Sequence, residues 1–172
     1  MGNYTYNQNS DPWSWRRAIH TDVEDILNLV DQNYSEEILG IFTPSRTRMG
    51  YHLHKTILEM SYNLNNHNIS VARDRETNQL LAWSWIERGK YQVYANEEMA
   101  VAEFAHVDLA LSARNRVKLL AQIIELWITW AETLKIPVLV STTIRNEQTA
   151  FMRLHEQYGF VIRGSFAYRK NI

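Results

Sequence analysis

Residues 100–135 read AVAEFAHVDLALSARNRVKLLAQIIELWITWAETLK, and this stretch decides the fold. Its first part, Val101–Leu111, reads as a strand, and Ser112 then stands where a helix N-cap belongs. Beyond Ser112, apolar residues recur at spacings of three and four, which is the period of an amphipathic helix. They are Val117, Leu120, Ile124, Trp127, Ala131 and Leu134. A second apolar row beside them predicts a central helix that is buried on more than one side.

Composition narrows the class of protein. The chain has 172 residues, which predicts one domain, and its 45% apolar and 22% charged residues are ordinary for a globular protein. A formal net charge of -1 gives no electrostatic reason to bind nucleic acid or an anionic membrane. The absence of cysteine excludes disulfides, thiolate metal sites and a cysteine nucleophile. No apolar run approaches the roughly 18 residues of a membrane span. We therefore expect a soluble, cytoplasmic protein.

Strand and helix signals alternate along the chain. Residues 1–12 are polar and Asn-rich and predict a flexible arm, followed by a single domain over residues 13–172. The predicted order is β-α-α-β-β-β-α-β-α-β, a mixed α/β domain with two parallel-type crossovers in its C-terminal half. The predicted strands are 13–19, 69–73, 80–86, 101–111, 136–144 and 160–169, and the helices begin near 21, 45, 112 and 148.

At this point the sequence resembles the GNAT superfamily of N-acetyltransferases in element order over nearly the whole chain. Residues 15–18 (WRRA) before 21–22 (TD) are similar to the family's opening R-x-A and acidic helix start. Residues 146–160 are similar to its N-x-x-A…Y-x-x-x-G-F signature. The resemblance implies a GNAT-like acyl-CoA N-acyltransferase fold, with 101–111 and 138–144 as parallel neighbours that splay apart. It also implies acetyl-CoA as cosubstrate.

The sequence departs from the family pattern where a glycine-rich phosphate loop normally precedes the long helix. Residues 111–117 read LSARNRV and contain no glycine, the residue that lets a backbone approach a pyrophosphate closely. Arg114 and Arg116 could instead supply charge-assisted hydrogen bonds to phosphate. The alternative is a solvated first helical turn in which both arginines oppose the helix dipole. A second departure is His155, which stands where the family usually has tyrosine.

The resemblance also implies positions for the cosubstrate. Acetyl-CoA would pair with the strand through Val107, Leu109 and Leu111, and its pyrophosphate would lie on the helix start. Asn146 would cap the following helix or contact the CoA chain. The helix-start residues are Arg114, Asn115, Arg116 and Val117.

Three residues are candidates for proton transfer. Glu103 lies in the predicted strand among apolar neighbours, where a carboxyl group has a raised pKa and can act as a base. Its alternative is a paired structural glutamate near a strand end. His155 is a candidate acid for the departing thiolate, and Tyr158, one turn later, is an equal candidate. The alternative for His155 is an exposed helix residue. No spacing of histidines and carboxylates predicts a metal site.

Two functional hypotheses follow. The first is an acetyl-CoA-dependent N-acetyltransferase whose acceptor is a primary amine of a small molecule or a protein. The second is a catalytically silent GNAT-fold protein that works by binding, for instance as a bacteriophage virion component with phage particle proteins as partners. Residues 151–160 are similar to divergent GNAT relatives encoded in phage genomes. The missing glycines and the Asn-rich arm favour the second hypothesis, whereas the element order fits both.

Overall fold

A mixed five-stranded sheet forms the centre of the protein. The computed structural model describes residues 11–37, 41–143, 145, 148–164, 167 and 169, with the backbone alone for residues 35 and 36. The strands are β1 Trp13–Arg17, β2 His67–Asp74, β3 Leu80–Tyr91, β4 Glu98–Val107 and β5 Val138–Ser141. They lie in the order β1-β2-β3-β4-β5. β1 to β4 are antiparallel neighbours, and β5 is parallel to β4.

Four α-helices lie in the described part of the chain. They are α1 Val23–Glu37, α2 Arg46–Tyr62, α3 Ala113–Thr133 and α4 Thr149–Gln157, with a 3-10 turn over His20–Asp22 before α1. Ser45 and Ser112 are the N-caps of α2 and α3, because the Oγ of each accepts a backbone N–H three residues later at 3.3 Å. The predicted mixed α/β architecture and the cap at Ser112 are confirmed.

Two apolar cores lie on opposite faces of the sheet. On one face α3 is central, as predicted, and Ile123, Ile124 and Trp127 are at most 1% exposed. On the other face α1 and α2 pack around Trp83, which is fully buried. The start of the predicted apolar row was wrong, since Val117 is 54% exposed and the buried stripe begins at Leu119.

The crossover from β4 through α3 to β5 makes these two strands parallel neighbours, as the resemblance implies. β4 is shorter at its end than the predicted strand 101–111, because Asp108 starts a turn. Its Oδ1 accepts the N–H of Ala110 at 2.9 Å, and its carbonyl accepts the N–H of Leu111 at 3.2 Å. A side chain that bonds the backbone two residues later competes with strand pairing, so the extended run ends at Val107.

The hairpin between β3 and β4 is longer than predicted. Residues 89–99 were expected to form a loop, but β3 continues to Tyr91 and β4 begins at Glu98. The Glu98 carboxylate accepts two hydrogen bonds from Arg88, at 2.6 and 2.7 Å, and one from the N–H of Gly89 at 3.0 Å. This bidentate ion pair between the strands holds them together beyond the apolar part of the hairpin.

The C-terminal end of the chain differs from the prediction. Of the predicted strand 160–169, the described residues 160–164, 167 and 169 are not in a strand, and Gly164 has a φ of +81°, which interrupts an extended run. The other residues of that strand lie outside the described residues. Of the predicted flexible arm, residues 1–10 lie outside them too, while Asp11 accepts a hydrogen bond from Gln122 of α3 at 2.8 Å.

A buried carboxylate joins the start of α1 to the sheet. Asp22 is 1% exposed and accepts two hydrogen bonds from Arg16 of β1, at 2.6 and 2.7 Å. Arg73 of β2 donates to the same carboxylate at 2.7 and 3.0 Å, and the N–H of Ile19 donates at 2.8 Å. Burial opposes the charge of Asp22, but these hydrogen bonds lower its pKa, so it remains ionised. Asp22 therefore ties α1, β1 and β2 together.

We expect Asp22→Asn to destabilise the protein by about 3 kcal/mol, because a buried ion pair that loses one partner leaves uncompensated charge. Urea denaturation measures the change. Asp25→Asn is the matched control, since Asp25 contacts the same Arg73 but its side chain is 47% exposed. We expect the control to lose less than about 1 kcal/mol. Equal losses for the two variants would contradict the role of Asp22.

Candidate functional site

β4 pairs with the short strand β5 over only part of its own length. Their register runs from Met99 opposite Val138 to Ala102 opposite Ser141. Within the described ranges β4 has no strand partner on this side beyond Ala102, so its backbone polar groups there can pair with an extended ligand. The strands diverge around a cleft of about 270 Å³, and the side chains of Trp127 and Phe151 contribute apolar walls. We call this space the cleft.

A β-bulge lies where the two strands diverge. Trp85 of β3 is opposite Phe104, but the next residue, Ile86, is opposite Ala102, so Glu103 is the extra residue of β4. Strict alternation would place residues 102 and 105 on opposite faces, yet both pack on the α3 core. Glu103 therefore lies outside the regular pairing of β4 with β3. Bulges beside functional sites commonly re-aim a side chain in this way.

The Glu103 side chain lines the cleft and is also accessible to solvent. Partial burial of its carboxyl group raises its pKa above the ordinary value, and the neighbouring carboxylate of Glu87 raises it further. Lys90 opposes this effect and is itself 2.8 Å from Glu87. A carboxylate with a raised pKa is a stronger base, so Glu103 is suited to accept a proton in the cleft.

A network of polar side chains forms one end of the cleft. Glu37, at the end of α1, accepts hydrogen bonds from Arg145 Nε at 2.9 Å and contacts His106 Nε2 at 3.0 Å. Arg145 also donates to Asn33, whose amide donates to the carbonyl of Val107 at 3.2 Å. Burial opposes ionisation of Glu37, but the bonds from His106 and Arg145 lower its pKa, so its carboxylate is charged at neutral pH.

Sequence reasoning missed this network. It names neither His106, which contacts Glu37, nor Asp108, which accepts a hydrogen bond from Gln79 at 3.0 Å. Glu37 and Arg145 are 108 positions apart and carried no local signal that would pair them. The only sequence feature that could have indicated the network is the presence of a histidine, His106, near the end of β4 and a carboxylate, Glu37, at the end of α1.

A second cavity, of about 240 Å³, lies between α1, α2 and β4. We call it the apolar chamber, since most of its walls come from Leu27, Val30, Tyr34, Phe42, Met49 and Phe104. Glu37, Phe104 and His106 line both the chamber and the cleft. The two cavities therefore meet at the polar network, on opposite sides of the free edge of β4.

The start of α3 has features of an anion site. The carbonyl of Ser112 accepts the N–H of Arg116 at 3.0 Å, and its Oγ accepts that of Asn115, which leaves the N–H groups of Ala113 and Arg114 without a helical partner. The first turn contains no acidic residue. Arg114 is exposed, and Arg116 is half-buried with an Nε atom that no group in the described part of the chain bonds. These residues fit a phosphate group.

The other residues that were predicted to contact acetyl-CoA lie in different parts of the structure. Val107 is the last residue of β4 and lines the cleft, whereas Leu109 and Leu111 lie in the turn that follows. Val117 is exposed on the first turns of α3. Asn146 lies outside the described residues. Their roles in binding remain predictions.

The structure does not place His155 or Tyr158 in the cleft. His155 is 1% exposed, its Nδ1 is 2.8 Å from the carbonyl of Phe151, and its Nε2 is 2.9 Å from the hydroxyl of Ser141. A carbonyl only accepts, so Nδ1 carries the proton and Nε2 accepts from Ser141. Burial lowers the pKa of His155, which keeps the ring neutral. The expectation of an exposed helix residue is thereby wrong.

Tyr158 is held by a carboxylate. Its hydroxyl donates to Glu125 of α3 at 2.7 Å, and burial together with Glu125 raises the pKa of Tyr158 to about 12. The phenol therefore keeps its proton at neutral pH and directs it at Glu125. Acid catalysis by His155 or Tyr158 remains a prediction, and it would require either side chain to leave its present partner.

Over the described ranges, no group of three or more histidine, aspartate or glutamate side chains is arranged to hold a metal ion. None of the helices in these ranges is both long enough and apolar enough to cross a membrane.

Comparison with solved structures identifies the class of fold. Glucosamine-6-phosphate N-acetyltransferase from Arabidopsis thaliana aligns with a TM-score of 0.66 at 13% identity, over 94% of this chain and 100% of that one. An aminoglycoside antibiotic 6'-N-acetyltransferase from Acinetobacter baumannii aligns with 0.66 at 15%, over 93% and 99%. A predicted acetyltransferase from Clostridium acetobutylicum, solved with acetyl-CoA, aligns with 0.67 at 12%, over 92% and 96%.

The chain therefore has the fold of the GNAT acetyltransferases, as the sequence resemblance implied. At these identities the likeness concerns the fold. No model of a known protein family matches the sequence, and no curated protein matches it.

The neutral, buried His155 predicts how stability depends on pH. The unfolded state binds a proton on this histidine below its ordinary pKa of about 6.5, whereas the folded state resists it, so stability falls as pH drops below that value. The slope reaches up to about 1.4 kcal/mol per pH unit.

Urea denaturation between about pH 5 and pH 8 tests this. His155→Asn should be less stable at every pH but should lose the slope, and His52→Asn, on the exposed face of α2, should keep it. An unchanged slope in His155→Asn would show that another group is responsible.

Proposed function

We propose that this protein is an acetyl-CoA-dependent N-acetyltransferase that acetylates a primary amine. The observation that carries the proposal is the coincidence of three features at one point of β4. Its pairing with β5 stops at Ala102, the bulge residue Glu103 follows at once, and the carboxyl pKa of Glu103 is raised. A space for an extended thioester thus lies beside a base.

The helix start and the cleft are the parts suited to hold acetyl-CoA. Arg114 and Arg116, with the free N–H groups of the first turn, would bind its phosphates. The edge of β4 from Glu103 to His106 would bind the pantetheine arm through backbone hydrogen bonds, whereas the carbonyl of Val107 already accepts one from Asn33. When bound, acetyl-CoA supplies an acyl carbon that is activated by a sulfur leaving group.

Glu103 would act as the general base. It takes one proton from the attacking amine, directly or through a water, while the new C–N bond forms and the C–S bond breaks with its electron pair on sulfur. Because His155 and Tyr158 face other partners, the sulfur would receive its proton from solvent or from the amine by way of Glu103.

We expect Glu103→Gln to lower kcat about a hundredfold, within the range typical of general bases, with little change in the Kd of acetyl-CoA. The wild-type kcat/KM should rise with pH through the raised pKa of Glu103, because only the ionised carboxylate accepts the proton. The kcat/KM of the Glu103→Gln variant should not show this rise with pH.

Steady-state kinetics and calorimetry measure the two effects. Glu76→Gln, on the exposed turn between β2 and β3, is the matched control and should behave like the parent. A Glu103→Gln variant with the parent's kcat and pH profile would remove Glu103 from the mechanism.

Replacing Arg114 and Arg116 together with Gln should weaken acetyl-CoA binding in a salt-sensitive way. Each lost charge-assisted bond should cost on the order of 1.5–3 kcal/mol at a partly buried site. The free enzyme should be as stable as the parent or slightly more so, because positive charge leaves a helix N-terminus.

Calorimetry at two salt concentrations measures the affinity for acetyl-CoA and its salt dependence. Thermal melting measures the stability of the free protein. Arg48→Gln, an exposed arginine on α2, is the control. A double variant that binds acetyl-CoA as well as the parent would leave the backbone N–H groups as the only phosphate contacts.

A second candidate is a GNAT-fold protein that binds a partner and does not catalyse. The positions of His155 and Tyr158 favour it, since neither is directed into the cleft. The absence of glycine between Gly89 and Gly159 favours it as well. Titration with millimolar acetyl-CoA separates the two, because a lack of both heat and thermal shift would exclude the enzyme. A role in a phage virion remains a prediction from the sequence.

A further inference from the structure

We propose that the apolar chamber binds the acceptor, and that this acceptor is a small primary amine on an apolar body of about one ring, such as an arylalkylamine. The inference rests on the proposed acetyl transfer and specifies its substrate class. Three observations carry it: the lining of the chamber, its volume, and the carboxylate where the chamber meets the cleft.

The chamber offers apolar contact and few free hydrogen-bonding groups. Its inner wall consists of Leu27, Val30, Met49 and Phe104. At its rim the guanidinium of Arg46 is held by Asp31, by Glu24 at 2.5 Å and by Asn28 at 2.9 Å. Buried hydroxyl or ammonium groups without partners are unfavourable, so a sugar or a polyamine would lose hydration inside the chamber without replacement.

The volume limits the size of the occupant. The chamber holds about 240 Å³, below the roughly 300–1,000 Å³ of pockets for drug-sized ligands. A single ring with a short alkyl chain fits such a space, whereas the linked rings of an aminoglycoside do not. Phe42 forms part of the outer wall of the chamber and is 51% exposed, so the chamber opens to the surface beside an aromatic side chain.

The junction with the cleft favours a cation. Glu37 lines both cavities, and its carboxylate is ionised. Among the described residues, one Glu37 oxygen contacts His106 and the other contacts Arg145. A carboxylate has about four acceptor sites, so Glu37 can accept a further bond from an ammonium group. An amine whose body fills the chamber would then present its nitrogen at the cleft, which Glu103 also lines.

The first test uses ligands and the purified wild-type chain without acetyl-CoA. Calorimetry should show that 2-phenylethylamine binds at least tenfold more tightly than 2-phenylethanol, which has the same body and no charge. Spermidine and kanamycin should bind more weakly than the arylalkylamine. Equal binding of the amine and the alcohol would overturn the role of the carboxylate, and tighter binding of spermidine or kanamycin would overturn the apolar chamber as the acceptor site.

The second test changes the chamber. Phe42→Ala should weaken 2-phenylethylamine binding by on the order of tenfold, because part of the apolar wall is lost. Tyr62→Ala is the matched control, an aromatic residue that is 85% exposed and does not line the chamber. Met49→Trp should fill the chamber and abolish binding. Thermal melting verifies that each variant is folded, and a folded Phe42→Ala variant with the parent's affinity would overturn the proposal.

A third measurement separates this inference from the proposed function. Acetyl-CoA binding and acetylation of 2-phenylethylamine and spermidine are assayed on the same preparation. If acetyl-CoA binds but only spermidine is acetylated, the acceptor class is wrong and the transferase activity stands. If 2-phenylethylamine binds and acetyl-CoA does not, the transferase activity is wrong and the chamber remains an amine-binding site.

Discussion

The end of the β4–β5 pairing at Ala102 and Ser141 is the constraint on which the rest of the site depends. A sheet that stayed paired would bury the β4 edge and leave no cleft. The strands can separate because other groups replace their lost contacts. Trp127 and Phe151 supply apolar surface, and Asn33 bonds the carbonyl of Val107. The opening is thus stabilised by side chains from three helices, α1, α3 and α4.

Helix α1 connects the sheet to the site through a buried carboxylate near each of its ends. Asp22, just before its start, binds Arg16 and Arg73 of the first two strands. Glu37, at its last residue, binds His106 of β4 and Arg145 after β5. Partial removal of such charges from water is unfavourable unless each has partners, so both ends are held in fixed positions. The end of α1 therefore fixes the point at which the apolar chamber and the cleft meet.

The sequence predicts those parts of the fold that have a local signal. The apolar period of α3, the cap at Ser112 and the β-branched run of β5 each depend on neighbours within one or two turns, and the structure agrees with them. The end of β4 could also have been predicted, because aspartate is a typical turn residue. The apolar residues on both sides of Asp108 led instead to the prediction of a strand that continues to Leu111.

The bulge at Glu103 and the pairing of Glu37 with Arg145 had no comparable signal. One extra residue in a strand moves all later side chains to the other face of the sheet, but the sequence does not show where that residue is. Only the pairing with the neighbouring strand β3 shows that it is Glu103. Residues 108 positions apart are brought together by the closing of the whole sheet. The candidate site was therefore predictable as a region at the end of β4, and its internal geometry was not.

The start of α3 shows how a glycine-free loop remains compatible with an anion. Basic side chains in a first helical turn oppose the helix dipole by about 0.3–1 kcal/mol each, and no acidic residue of that turn compensates Arg114 and Arg116. The Nε of Arg116 is buried without a partner in the described chain, which adds the desolvation of a polar group. A bound phosphate would remove both penalties at once. In the proposed binding mode, these longer side chains would reach a phosphate that lies farther from the backbone than one held by a glycine-rich loop.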